Sequence, residues 1–204
     1  MPAAVLFTPL TPPTTDICRS AWCFRKPRPM SSPRLPSGAT SASPSYPFRD
    51  ELLGLFPSDP EAKRTAANFL LLSEYLEKID FQPPALARRA IVQGHCHHQA
   101  VMKMTAEEKV LKRMKLDYKL LDSGCCGMAG GFGFMKESYE VSMKAGERVL
   151  LPAVRSAGDA LVVADGFSCR EQIRQATGRD ALHLAEVLRM AIGSAVAGEG
   201  AAYR

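Results

Sequence analysis

Three short apolar runs in this chain of 204 residues each break off into a loop that carries cysteine. Ala90-Ile91-Val92-Gln93-Gly94 leads to Cys96, and Tyr118-Lys119-Leu120-Leu121-Asp122 leads to Cys125-Cys126. Ala160-Leu161-Val162-Val163-Ala164-Asp165-Gly166 leads to Cys169. Runs of this length and composition read as buried strands, and helical segments between them require parallel pairing with right-handed crossovers. The expected fold class is therefore α/β, a small parallel sheet with crossover helices. In such a sheet the carboxyl ends of all strands open on one edge, where ligands bind. Four thiols from three separated places then converge on one rim.

The helical segments carry their own punctuation. Phe48 to Phe56 reads as a short helical turn. Ser58-Asp59-Pro60-Glu61 combines a capping box with proline near a helix start, and that helix is expected to run to about Ile79 before Pro83-Pro84 closes it. Thr105-x-x-Glu108 is a second capping box, opening a helix to about Met114. Glu137 to Ser156 is long enough to cross back over the sheet with a kink at Pro152. Arg170 to Gln175 and Ala181 to Met190 complete the helices. The folded domain is placed at 48–193, followed by a flexible end at 194–204.

Residues 1–47 hold ten of the fifteen prolines, so they read as a disordered Pro/Ser/Arg-rich tail. That tail also holds Arg19, Arg25, Lys26, Arg28 and Arg34 against Asp16 alone, which accounts for all but one of the five net positive charges. What remains is nearly neutral, with no basic stripe, and argues against nucleic-acid binding. Cys18 and Cys23 fall in the tail and read as incidental, because a metal site needs a scaffold. No run reaches the roughly 18 uncharged apolar residues of a spanning helix, so the chain is expected to be cytoplasmic, at most peripheral to the inner face of a membrane. Six cysteines without a signal peptide fit reduced thiols or ligands better than a disulfide framework.

Adjacent thiols set among Gly124, Gly127, Gly130, Gly131 and Gly133 are not explained by packing, since neighbouring side chains diverge and glycine adds nothing to a core. Intervals of 28 residues from Cys96 to Cys125 and 42 from Cys126 to Cys169 exclude a local C-x-x-C knuckle, so the fold must assemble the site. Three chemistries remain open: an iron–sulfur cluster held by Cys96, Cys125, Cys126 and Cys169; a structural zinc ion; and thiol–disulfide exchange at Cys125-Cys126. Backbone N–H groups at Gly127 and Gly130 suit an anion-binding nest, and His95, His97 and His98 are candidates for hydrogen bonds to the centre or for ligation. His183 reads as a surface or helix-start residue. Arg170 is either solvated or a charge that favours the Cys169 thiolate, and Phe132 and Phe134 are either core or a shield.

The Gly94-His95-Cys96-His97-His98, Cys125-Cys126-Gly127-Met128-Ala129-Gly130 and Ala164-Asp165-Gly166-Phe167-Ser168-Cys169 segments together resemble the cysteine-rich CCG domain. That domain occurs in the iron–sulfur subunit of glycolate oxidase, in a subunit of heterodisulfide reductase, and at the C-terminal end of FAD-linked D-lactate or 2-hydroxyacid dehydrogenases. The resemblance implies an electron-transfer module with a 4Fe-4S-type cluster on the four cysteines, FAD on a partner or missing domain, and a further electron acceptor. Two departures stand out. Gly166 occupies the first position of the family's last C-x-x-C, and Ser45-Tyr46-Pro47 stands where dehydrogenase relatives carry Pro-Ser-Cys. With no flavin domain present, the expectation is a truncated or frame-shifted fragment with no complete active site, one that could be non-functional.

Overall fold

The computed structural model describes residues 38–39 and 46–201, with side chains from 46 to 195. Strand β1 (Gly38–Ala39) is followed by a π-helical turn, Pro47–Glu51, that continues into one α-turn at Leu52–Leu55. Helix α1 (Pro60–Asn68) is capped by Asp59, whose carboxylate accepts from the Glu61 and Ala62 N–H groups at 2.7 and 3.4 Å. Strand β2 (Leu70–Leu71) pairs parallel with β1, and helix α2 (Leu72–Lys78) leaves it directly.

The main sheet then forms. Strand β3 (Arg89–Gln93) connects through helix α3 (Thr105–Arg113) to β4 (Asp117–Leu120). Helices α4 (Lys136–Glu147) and α5 (Leu150–Ser156) carry the chain to β5 (Leu161–Ala164). Helix α6 (Phe167–Thr177) and helix α7 (Leu184–Ala201) follow. The strand order is β4-β3-β5, all parallel, and Leu182 adds a single parallel bridge to Val163.

Alternation along each strand builds two cores. Ala90, Val92, Tyr118, Leu120 and Val163 face one side, where Leu111 and Met114 with Leu184, Val187 and Leu76 bring α3, α7 and α2 onto the sheet. Ile91, Val162 and Ala164 face the other, against Leu150, Leu151, Val154 and Ile173 of α5 and α6. Cys126 and Cys169 belong to this second core. Because β3 hands the chain to β4 on one side and β5 lies on the other, the carboxyl end of β3 is a topological switch point.

Several elements differ from the sequence reading. The helix expected from 58 to 79 is broken at Phe69, whose ring stacks on Phe48 at 4.7 Å while Leu71 is buried in the extended pair with β1. Asp59 rather than Ser58 caps α1. The Thr105 side chain makes no cap; Glu108 instead accepts from the Tyr118 hydroxyl at 3.2 Å. The long crossover is two helices rather than one kinked helix, because Pro152 has no N–H to donate and its ring crowds the carbonyl of Arg148, so the break falls at Arg148 and Val149. Helix α7 starts three residues later than expected and passes residue 194. The expected tail boundary at 47 also moves: Gly38–Ala39 pair with β2, Tyr46 is buried, and the unit to which all described residues belong begins at residue 36. Cys18, Cys23, most of the proline-rich stretch and residues 202–204 lie outside the described residues.

Candidate metal centre

Each thiol reaches the switch-point edge by a different local device. Beyond Gln93 the chain leaves the sheet at Gly94, turns helical at Cys96, and enters a π-helical turn, His98–Met102; the Gln99 N–H closes it on the His95 carbonyl at 2.9 Å. Beyond β4, Gly124 (φ +64°), Gly127 (φ +96°) and Ala129 (φ +41°) all adopt left-handed backbone, which folds Cys125 and Cys126 back under the rim. Cys169 is the third residue of α6 and is delivered by the start of that helix.

Gln93 locks two of these loops together. It is the last residue of the central strand and 1% exposed. Its amide donates to the Gly94 and Gly124 carbonyls at 3.1 and 3.2 Å, and its oxygen accepts from the Ser123 hydroxyl. The loops carrying Cys96 and Cys125 thus share one buried amide.

The sulfurs form a chain of contacts. Cys125 acts on Cys96, and Cys169 and Cys125 both act on Cys126. The Gly127 N–H donates to the Cys125 sulfur at 3.3 Å, and the Met128 and Ala129 N–H groups point at Cys126. The Cys169 hydrogen bond and then these amides lower the Cys126 pKa to about 6, so negative charge settles there. Cys169 is pushed well up by the same pairing and by burial, and Cys96 is pushed up by burial and by Cys125. The thiol most easily ionised is therefore partnered first by Cys169 and only then by its neighbour Cys125.

The histidines separate into three environments. His97 is exposed, its ring 4.0 Å from that of Tyr46, whose hydroxyl donates to the His97 carbonyl at 3.1 Å. His98 points into the body, with Nδ1 3.4 Å from Glu107 Oε2, both side chains 1% exposed. Burial lowers the His98 pKa to about 4, and burial with the Asp165 charge holds the Glu107 carboxyl protonated well above its ordinary range. The contact joins a neutral imidazole to a carboxylic acid rather than two ions. His95 is buried, its Nδ1 has no protein partner, and burial and then His97 lower its pKa.

His183 starts α7, as the sequence implied, but is buried: its Nδ1 accepts from the Ala185 N–H at 3.0 Å and its own N–H donates to Glu186 at 2.8 Å. Arg170 lies 3.6 Å from Glu186, and burial raises the Asp165 pKa against the opposing charges of His183 and Arg170. Phe132 and Phe134 are exposed rather than core. Gly127 combines its positive φ with a contact that admits no side chain, since a Cβ there would lie 2.0 Å from the Ser142 carbonyl oxygen. Gly130 shows only the positive φ. Gln93, Glu107 and Tyr46 had no sequence signal as site residues; only their burial and partners reveal them.

A tetrahedral ion bound at about 2.3 Å holds its sulfurs roughly 3.8 Å apart. Among the described residues, the group of three or more His, Cys, Asp or Glu donors lying within 4.8 Å of one another is His95, Cys96 and His97. Among the described residues, no three of the four cysteine sulfurs all lie within 4.8 Å of one another.

With this geometry, the chain can be compared with known proteins. It is 28% identical to a subunit of the anaerobic glycerol-3-phosphate dehydrogenase of Escherichia coli K12 over 164 residues, 78% of this chain and 41% of the relative. It is 30% identical to D-2-hydroxyglutarate dehydrogenase of Pseudomonas putida over 122 residues, 58% of this chain and 12% of the relative. The D-2-hydroxyglutarate dehydrogenase of Escherichia coli K12 is 26% identical over 131 residues, 62% of this chain and 13% of the relative. The chain is thus similar to stretches of longer dehydrogenase proteins. It spans less than half the length of the curated relatives it matches. No family model matches it. No solved structure matches it either. Among the described residues no helix is long and apolar enough to cross a membrane.

Proposed function

We propose that this chain is the iron–sulfur region of a flavin-dependent dehydrogenase of the 2-hydroxyacid type. Cys96, Cys125, Cys126 and Cys169 would hold a 4Fe-4S-type cluster, and FAD would sit on a partner subunit or domain. The supporting observation is that four cysteines follow the ends of three parallel strands on one edge of the sheet, with Cys126 and Cys169 at 3% and 1% exposure. Such a cluster, when bound, supplies one-electron transfer. The protein's own residues set its surroundings: the Gly127, Met128 and Ala129 N–H groups stabilise negative charge on sulfur, and burial keeps water from the inner pair. The relatives' names fit the reading, since glycerol 3-phosphate and D-2-hydroxyglutarate are both small anions with a secondary hydroxyl.

The deciding measurement is iron, acid-labile sulfide and zinc content after anaerobic purification, with the spectrum of the dithionite-reduced protein. Iron and sulfide in equal amounts, lost when Cys126 and Cys169 are replaced by serine, is the expected result. Neither iron nor sulfide after reconstitution would sink the reading. A second reading, a single zinc ion, is favoured by the His95, Cys96 and His97 donors lying within 4.8 Å of one another. It predicts one zinc per chain and no sulfide.

A further inference from the structure

The His95 ring is wedged between two of the cysteine loops. It follows β3 on its own segment, and on the far side it lies against the backbone beyond β5, where a Cβ at Gly166 would come within 2.5 Å of His95 Cδ2 and 3.0 Å of Cγ. Gly166 precedes Cys169 by three residues, so the ring sits between the segments that deliver Cys96 and Cys169. The residue is 8% exposed and Nδ1 finds no partner in the protein. A buried polar atom left in that condition costs about 1–3 kcal/mol. Of the neighbouring histidines, His97 is exposed, its ring tilted against Tyr46, and His98, whose ring nitrogens also have no hydrogen-bond partner, is turned away into the body beside Glu107. A ring nitrogen of His95 also lies within 4.8 Å of the Cys96 sulfur. Two donors on one tetrahedral metal atom, at about 2.0–2.1 Å for nitrogen and 2.3 Å for sulfur, stand about 3.6 Å apart, so the pair shares an atom once it draws together by at most about 1.2 Å.

We infer that the His95 imidazole is itself a ligand, binding the metal atom that Cys96 binds, so that the centre has a mixed nitrogen and thiolate shell. The inference rests on the metal-centre reading above and deepens it. Gly166 then has a stated purpose, because a side chain there would displace the ring. As a ligand added beside the four thiolates, a neutral imidazole brings no further negative charge to the shell, whereas a thiolate at the same place would lower the reduction potential.

The test uses the full chain, loaded anaerobically, reduced, and labelled with 15N-histidine, and reads nitrogen hyperfine coupling by pulsed electron paramagnetic resonance. Coupling of metal-bound strength is expected in the unmodified protein and in His97→Gln. It is expected to vanish in His95→Gln and in Gly166→Ala, which moves the ring without altering its chemistry. His95→Cys should retain iron, lose the coupling and lower the potential. Metal retention against a chelator should fall by about 10–100-fold in His95→Gln. A loaded cluster with no nitrogen coupling, or coupling that survives His95→Gln, overturns the inference. If no sulfide is present, the cluster reading fails on its own, and the same coupling measured on the unmodified protein and His95→Gln loaded with cobalt(II) still decides the role of His95.

Discussion

Replacing Gly127 with alanine tests how the thiol loop is held, and Gly124→Ala is its internal control. Both glycines have positive φ, +96° and +64°, so an L side chain costs about 1–2 kcal/mol at either position. The surroundings differ. A Cβ at Gly124 meets nothing within 4 Å, whereas one at Gly127 meets the Ser142 carbonyl oxygen at 2.0 Å and its carbon at 2.9 Å. That carbonyl belongs to the middle of α4, which cannot retreat freely, because the loop and helix also close on each other at Gly146, where a Cβ would stand 2.9 Å from the Cys126 carbonyl oxygen. Overpacking of this kind adds about 1–3 kcal/mol, so Gly127→Ala should lose about 2–5 kcal/mol and Gly124→Ala about 1–2 kcal/mol. Urea denaturation of the reduced, metal-free protein, followed by far-ultraviolet circular dichroism at constant slope, reads the difference directly. Equal losses for the two variants would refute the claim that the loop is seated against α4, and would leave Gly127 as a turn residue only.

Three further outcomes follow from buried groups. Gln93→Leu leaves the Gly124 carbonyl and the Ser123 hydroxyl without this partner, while the Gly94 carbonyl keeps the Gln99 amide, and should lower stability by about 2–4 kcal/mol in the same assay; a loss below about 0.5 kcal/mol would mean the two loops are held by something else. Glu107 has a raised pKa, so its contribution is fully present below the ordinary glutamate value near 4.5 and declines as pH rises toward the folded value. Glu107→Gln should therefore match the unmodified protein at the acid end and become progressively the more stable of the two above pH about 5, and parallel pH profiles would count against a protonated Glu107. In metal-free protein, the alkylation rate of Cys126 should titrate near pH 6, and Cys169→Ala should move that midpoint upward toward 9 because the hydrogen bond holding the thiolate is gone; an unmoved midpoint would show that Cys169 is not its donor.

The parts of this fold that declare themselves in sequence are those with a period or a cap. The three strands lie within a few residues of the apolar runs, and the thiols lie beyond their ends, because burial on both faces makes a parallel strand a continuous apolar run. What stayed hidden depends on partners distant along the chain. Leu70 and Leu71 lie inside a stretch with a helical pattern, and only pairing with Gly38–Ala39 turns them into strand. Thr105 and Glu108 spell a capping box, yet Glu108 is taken by Tyr118. Glu107 looks like one more acidic residue of a helix first turn, but it faces His98 in the interior. A buried carboxylic acid and an exposed carboxylate have the same letter, and the difference between them is tertiary.

The distribution of thiols between the two cores bears on how the site relates to folding. A zinc knuckle collects its ligands from a short stretch, so metal binding supplies the folding free energy and the apo chain is unfolded. Here the ligand candidates are spread over 74 positions from Cys96 to Cys169, and they meet only when β3, β4 and β5 have paired. The first core, under α3 and α7, contains no cysteine and rests on Leu111, Met114, Val92, Leu184 and Val187, all 0% exposed. It can form without metal. The second contains Cys126 and Cys169, with the Gln93 amide and the Gly127 contact binding their loops to the sheet and to α4. Stripping the metal should therefore loosen the second core while the first persists, and native-state hydrogen exchange separates the two. Amides of α4 and of the 121–129 loop should lose protection on metal removal, and those of β3 and α3 should keep it. Uniform loss across both would mean that metal and fold are a single cooperative unit, contrary to the division read from the packing.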